Sequence, residues 1–249
     1  MFWKAVYVIC LRDIRRFFKE RSQVIGSVAR PAFWLIIMGT GFNTIFRPAS
    51  GSGTYAQFLF PGIIGMTILF TSVFSAVSVI WDRQFGFLRE MLVAPVSRTS
   101  IAVGKTLSGC FQSMLQGGII LVLSFLVDVN LTIMIIIKVL GIIFLASFAL
   151  TSLGLLIASR MGSFEGFNII MNFLIMPMFL LSGAFFPLAQ LPLWMKTVVS
   201  VNPLSYAVDA LRGVIIGVHE YAFLTDILFI TGFAVIMTTV AVTAFNKEI

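Results

Sequence analysis

The sequence predicts an all-α integral membrane protein with six transmembrane helices. Charged residues are only 11% of the 249, while 59% are hydrophobic; a soluble domain of this size carries roughly a quarter charged. The apolar residues run in continuous stretches of about 20, enough to cross ~30 Å of hydrocarbon as helix, and not in the alternation of a β-barrel. Cations gather in the short segments between these stretches. With the N-terminus inside, 13 Lys and Arg fall on the cytoplasmic side and 4 (Arg47, Lys138, Lys196 and Arg212) outside. The positive-inside rule then places both termini in the cytoplasm. Residues 1–249 read as one transmembrane domain.

Residues 1–22 form the first element, an amphipathic helix lying on the membrane. Trp3, Tyr7, Cys10, Ile14 and Phe17 follow a 3-4 spacing, and Arg12, Arg15, Arg16 and Lys19 lie mostly off that stripe. Such a helix sinks its apolar face to the headgroup boundary and keeps its cations wet. No cleavable signal peptide is expected, because this segment lacks an uninterrupted apolar core. The first span is predicted over 24–46, with Arg30 near enough to the cytoplasmic end to snorkel. A Gly/Ser-rich external turn follows at 48–54. The second span covers 58–80, and the polar residues 81–100 return to the cytoplasm. Spans three and four, 101–127 and 131–159, meet at Asp128-Val129-Asn130. A short link leads to span five at 167–188, and the sixth span covers 223–245.

Two segments do not read as plain membrane helix. Within 82–97, a short helix places Phe85, Leu88 and Leu92 on one face with Met91 alongside, Arg83 and Glu90 opposite, and Pro95 at its end. Amphipathicity alone allows two readings, docking into a partner's groove or resting on the membrane. Residues 187–220 hold Pro187, Pro192 and Pro203, a density that breaks a continuous span. Two short external or re-entrant helices are expected there.

Several chemistries are excluded. The net charge of +7 sits in membrane-flanking segments, so no nucleic-acid partner is expected. Cys10 and Cys110 fall on or near the cytoplasmic side, against a structural disulfide. His219 is the one histidine, so an H-E-x-x-H zinc site is impossible, and no G-x-S-x-G nucleophile appears. Gly104-Lys105-Thr106 imitates the end of a phosphate-binding loop, but Thr99 occupies its required first glycine. No catalytic residue and no cofactor are expected in this chain. Span centres nearly lack ionisable residues, which counts against an ion-coupled carrier.

The order of these segments resembles the permease subunits of type-2 ABC exporters, of the bacterial drug, lipo-oligosaccharide and polysaccharide kind. Arg83, Gly86, Leu88, Met91-Leu92 and Pro95-Val96 resemble the family's R-x-x-G-x-L-x-x-L-x-x-x-P loop. Ser182-Gly183-Phe186-Pro187 and Asn202-Pro203-Leu204-Tyr206-Arg212 resemble its S-G-x-x-F-P and N-P-L-x-Y-x-x-x-x-x-R elements. Many relatives carry an acid near the Gln84 position, where this chain offers Asp82 and Glu90.

The resemblance implies a half-transporter in a plasma (inner) membrane. It would pair with a second permease copy, identical or related, and engage separate ATPase subunits that carry ATP and magnesium. Residues Arg83, Phe85, Gly86, Leu88, Arg89, Glu90, Met91, Leu92 and Pro95 would form the coupling helix, and 1–22 the elbow. An external gate would use Phe186, Pro187, Asn202, Pro203, Tyr206 and Arg212. An amphipathic substrate would meet Asn43, Thr67, Thr71, Ser75, Asn168 and Asn172, with Phe70, Phe74, Phe173 and Met176 as apolar contacts. An ion-coupled carrier and a scaffold that transports nothing are the rival expectations.

Overall fold

The computed structural model describes residues 2–19, 21–42, 54–87, 93, 96–187 and 191–248, with backbone alone at 21–24, 27–28, 30 and 245–248. All regular elements among the described residues are helical. In chain order, α1 spans Phe2–Lys19 and α2 Arg21–Gly41; α3 spans Tyr55–Ser75 and α4 Val77–Gln84. Next come α5 (Arg98–Val122) and α6 (Ile133–Arg160), then α7 (Phe164–Ile170) and α8 (Met176–Leu180). The chain closes with α9 (Leu193–Val201), α10 (Pro203–Ile216) and α11 (Phe223–Glu248).

Among the described residues, four helical stretches are long and apolar enough to cross a membrane: Tyr55–Gln84, Arg98–Val127, Ile133–Arg160 and Phe223–Ala244. Two shorter apolar stretches, Pro31–Gly41 and Phe164–Leu180, lie where the first and fifth spans were expected. The helical class therefore stands, and among the described residues four of the helical stretches are long enough to be spans.

The element boundaries follow local chemistry. Thr54 caps α3 reciprocally: its hydroxyl accepts from the Gln57 N–H, and the Gln57 amide oxygen accepts from the Thr54 N–H. Ser97 caps α5 by accepting from the Ser100 N–H. The turn between α5 and α6 is as tight as expected. A 3₁₀ turn at Leu123–Val127 ends on Asp128, whose φ of 51° is left-handed.

The second predicted span ended too early. α3 runs on through Ala76 into α4 as far as Gln84, because Asp82 and Arg83 find partners inside the protein (below). The fifth predicted span ran too far. Helix stops at Leu180, where the Ser182 hydroxyl takes the Phe179 carbonyl at 2.6 Å and Gly183 turns the chain at φ 75°. Within it, Met171–Ile175 forms a π turn just before Pro177. Proline lacks an N–H and crowds the carbonyl four residues back, so the wider turn relieves that conflict. Between Leu193 and Ile216, where external or re-entrant helices were expected, the chain forms α9 and α10.

The core is built around α3, which packs on α2, α5, α6 and α10. Leu59, Phe60, Ile64, Ile68, Leu69 and Val73 are wholly buried along it. Gly154 of α6 permits a close approach, since a side-chain carbon there would lie 2.9 Å from the Val73 Cα. Small residues at such crossings let helix backbones meet where lipid supplies no hydrophobic drive.

Candidate functional site

The end of the bundle where α1 packs holds an ionic cluster built from three elements. α1 presents two faces. Val6, Ile9, Asp13 and Phe17 are buried, while Trp3, Tyr7 and Phe18 are exposed. The protein-facing stripe is thus one residue out of register with the one predicted from Trp3, Tyr7 and Cys10. Of the predicted stripe, Trp3 and Tyr7 are exposed, Cys10 and Ile14 are half-buried and Phe17 is buried. Gly104 lets α1 seat against α5, with Ile9 about where its side chain would be.

Across this contact Lys105 of α5 lies 2.6 Å from Asp82 of α4 and 2.9 Å from Asp13 of α1. Arg12 closes the ring at 2.7 Å from Asp82 and 3.0 Å from Asp13. The Lys105 ammonium also donates to the Ser78 hydroxyl at 3.0 Å. Two cations and two carboxylates leave the cluster neutral, which is what permits its burial. Burial opposes the Arg12 charge, but Asp13 and Asp82 outweigh it and raise its pKa above the ordinary value. Gly104-Lys105-Thr106 is therefore ordinary helix, with its lysine already committed to carboxylates.

Arg83, one residue beyond Asp82, reaches another helix. Its guanidinium donates to the carbonyls of Ser159 at 2.6 Å and Met161 at 3.1 Å. Those oxygens belong to the end of α6, where a helix leaves acceptors unpaired. Trp81 stacks on Phe85 with centroids 5.2 Å apart, meets Phe164 at 4.8 Å, and carries the Arg16 guanidinium 5.4 Å above its ring. Beyond this foot the chain turns at Gly86, φ 82°. Phe85, Phe87 and Val93 are then 63%, 53% and 88% exposed. Leu88, Arg89, Glu90, Met91, Leu92 and Pro95 lie outside the described residues.

The residues expected along a substrate path fall into two groups. Thr67 is buried and donates to the Ile63 carbonyl of its own helix at 2.9 Å. Thr71 donates to Gln116 of α5, and Ser75 to the Ser72 carbonyl at 2.7 Å. Phe70 and Phe74 meet Phe179 and Phe167 of the π-containing segment at 5.8 and 6.4 Å. Asn168, Asn172, Phe173 and Met176 form an exposed face of that segment, and Asn172 donates to the Asn168 carbonyl at 2.9 Å. Asn43 lies outside the described residues.

The expected external residues converge on one cap. The Arg212 guanidinium donates to the Gly183 carbonyl at 2.8 Å and lies 4.0 Å over the Phe58 ring. Asn202 caps α10 by accepting from the Leu204 N–H at 3.0 Å, and donates to the Met178 carbonyl at 2.7 Å. Pro203 supplies the first residue of that helix, which its fixed φ favours. The Tyr206 hydroxyl donates to the Ser200 carbonyl at 2.8 Å, and its ring stacks 3.9 Å from Phe229. Phe186 is exposed and Pro187 half-buried at the rim. Tyr55 ties α3 to this cap by donating to the Phe185 carbonyl at 3.2 Å.

Sequence reading missed Asp13 and Lys105 as site residues. Their only sequence signal is two ionisable groups at positions that helical periodicity turns toward neighbouring apolar faces.

Comparison with known proteins agrees with this architecture. The profile of a family described as ABC-2 type transporter matches residues 4–216. The inner membrane transport permease YadH of Escherichia coli strain K12 is 24% identical over 243 residues, covering 95% of this chain and 94% of its own. Nodulation protein J of Rhizobium leguminosarum bv. viciae is 26% identical over 199 residues, 79% of this chain and 76% of its own.

Proposed function

Since the chain belongs to the ABC-2 type transporter family, and is thus the membrane subunit of a transporter driven by an ATPase partner, we propose that it exports an amphipathic substrate. The substrate would be a drug, a lipid-linked molecule or a saccharide, taken from the cytoplasm or inner leaflet of the plasma (inner) membrane. Two permease copies would face each other, each crossing the membrane six times with both termini in the cytoplasm. Each would engage a separate ATPase subunit that binds ATP and magnesium.

The observation that carries this reading is the foot of the bundle. Phe85, Phe87 and Val93 project apolar surface beyond a base that is fixed to α1, α5 and α6 by ion pairs and by Arg83. An exposed apolar turn on a rigid base suits docking into a groove. Residues Arg83–Pro95 are assigned the role of coupling helix on this basis. Closure of the ATPases would push that helix, and the base would pass the motion to α3.

Phe74, Asn168, Asn172, Phe173 and Met176 are assigned to the substrate path or the facing permease copy, because they are exposed on adjacent elements. Thr67, Thr71 and Ser75 stand behind them, bonded within the bundle. Phe186, Pro187, Asn202, Pro203, Tyr206 and Arg212 are assigned to an external gate or its support.

The test is capture of candidate ATPase subunits by the purified chain, comparing wild type with Phe85→Asp/Phe87→Asp. The expected result is capture by wild type and a loss of about tenfold or more in the variant, with unchanged melting. Inverted vesicles would then accumulate substrate only with ATP outside. Equal capture by both proteins would remove the coupling role, and accumulation driven by an ion gradient without ATPase would replace the reading with a carrier.

A further inference from the structure

On the external side, a cavity of about 320 Å³ opens between α6, α10 and the start of α11. Its walls carry Lys138, Asp209, His219 and Asp226 together with apolar residues that include Ile135 and Phe223. Asp226 is fully buried, and among the described residues neither of its carboxylate oxygens has a hydrogen-bond partner. A buried carboxylate left that way is costly, and a donor entering the cavity would relieve that cost.

The other polar groups on the wall define that donor. Asp209 is already satisfied, accepting from the Glu220 and Tyr221 N–H groups at 2.9–3.1 Å. One free carboxylate is too few for a divalent ion, and no cluster of three metal-binding side chains exists among the described residues. Lys138 is exposed on the same cavity and offers an ammonium to an anionic group on the ligand. A ligand with an ammonium group for Asp226 and an anionic group for Lys138 answers both. Ile135 and Phe223 would accept the adjoining carbons, and the volume lies within the ordinary range for small-ligand pockets.

We propose that this cavity is an extracytoplasmic binding site for a zwitterionic head group bearing a primary ammonium and a phosphate, as presented by an aminophospholipid of the outer leaflet or by free phosphoethanolamine. A primary ammonium offers three N–H donors to the Asp226 oxygens; a trimethylated one offers none. The site lies far from the cytoplasmic foot and stands whether or not the export reading does.

The test is binding to the purified full chain in detergent, read as a saturable shift in melting temperature and by titration. The probes are dioctanoyl phosphatidylethanolamine, its choline and glycerol counterparts, and free phosphoethanolamine. The ethanolamine lipid is expected to bind about tenfold or more tightly than the choline and glycerol lipids, which lack N–H donors or the ammonium altogether. Asp226→Asn, nearly isosteric, should lose that preference by a similar factor, and Lys138→Gln should weaken the ethanolamine lipid while keeping the chain folded. Comparable binding of free phosphoethanolamine would identify a soluble head group as the source, and its failure beside a binding lipid would identify the membrane. Equal affinity for all three lipids, or unchanged ethanolamine binding by Asp226→Asn, would overturn the proposal. So would a fall in melting temperature in both variants with lipid affinity untouched, which would mark Asp226 and Lys138 as each other's partners.

Discussion

The ammonium of Lys105 lies 2.6 Å from the carboxylate of Asp82, both side chains almost wholly withdrawn from solvent. The pair joins α5 to the foot of α4, and Asp13 adds the amphipathic N-terminal helix to the same knot.

Lys105→Met should therefore strip two carboxylates of their shared cation. A broken buried pair costs on the order of 3–5 kcal/mol. The double variant Lys105→Met/Asp82→Asn leaves Arg12 facing Asp13 alone, again neutral, and should regain a sizeable part of the loss. Unfolding in detergent measures both. If the double variant is as unstable as the two single losses added together, the cluster contributes no coupling.

Arg83→Gln should free the carbonyls of Ser159 and Met161. The expected cost is about 1–3 kcal/mol for charge-assisted bonds inside the fold, with faster amide exchange confined to the last turn of α6. Arg83→Lys should rescue it only in part, because a single ammonium cannot reproduce the planar fork that serves two oxygens. Full rescue by lysine would show that charge alone matters there.

Gly65→Ala should push a methyl to 2.5 Å from the Val208 Cγ2 on α10. Overpacking of this kind costs about 1–3 kcal/mol. Val208→Ala removes the obstructing carbon, so the paired substitution should melt above Gly65→Ala alone. Additive losses would place the strain elsewhere.

Asn202 performs two tasks with opposite ends of one amide. Asn202→Asp keeps the oxygen that caps α10 but loses the donor to Met178, whereas Asn202→Ala loses both. The expected order of melting temperatures is wild type, then Asp, then Ala, with the full cap loss worth about 1 kcal/mol. An aspartate variant no better than alanine would mean that the Met178 bond carries the whole effect.

Much of this architecture was legible in the sequence because a membrane span is a matter of length and hydropathy. The 131–159 prediction falls within two residues of Ile133–Arg160, and the turn was visible in Asp128 and Asn130. The charge cluster was not legible. Asp13 stands in a strongly basic helix and reads as one more wet residue, and its buried partner Lys105 lies 92 positions away. Only the crossing of α1 over α5 turns it inward. The end of the fifth helix escaped for a similar reason. Apolar residues continue past Leu180, so hydropathy sees no boundary, and the break is made by the Ser182 hydroxyl and the left-handed Gly183. The external motif residues were recognisable by type and order, but that Arg212 would grip the Gly183 carbonyl depends on how two separate turns fold together.

α3 and α4 together make a nearly continuous rod, and the contact where Gly154 brings the α6 backbone against Val73 is one of the closest along it, a natural fulcrum. From that fulcrum the rod reaches ~13 Å to Asp82 at its foot and ~27 Å to Tyr55 at the cap, at 1.5 Å per residue. It is a see-saw with arms of unequal length. Rocking about Val73 would turn each ångström of travel at the foot into roughly two at Tyr55 and the Phe185 carbonyl it holds, with a proportionate loss of force.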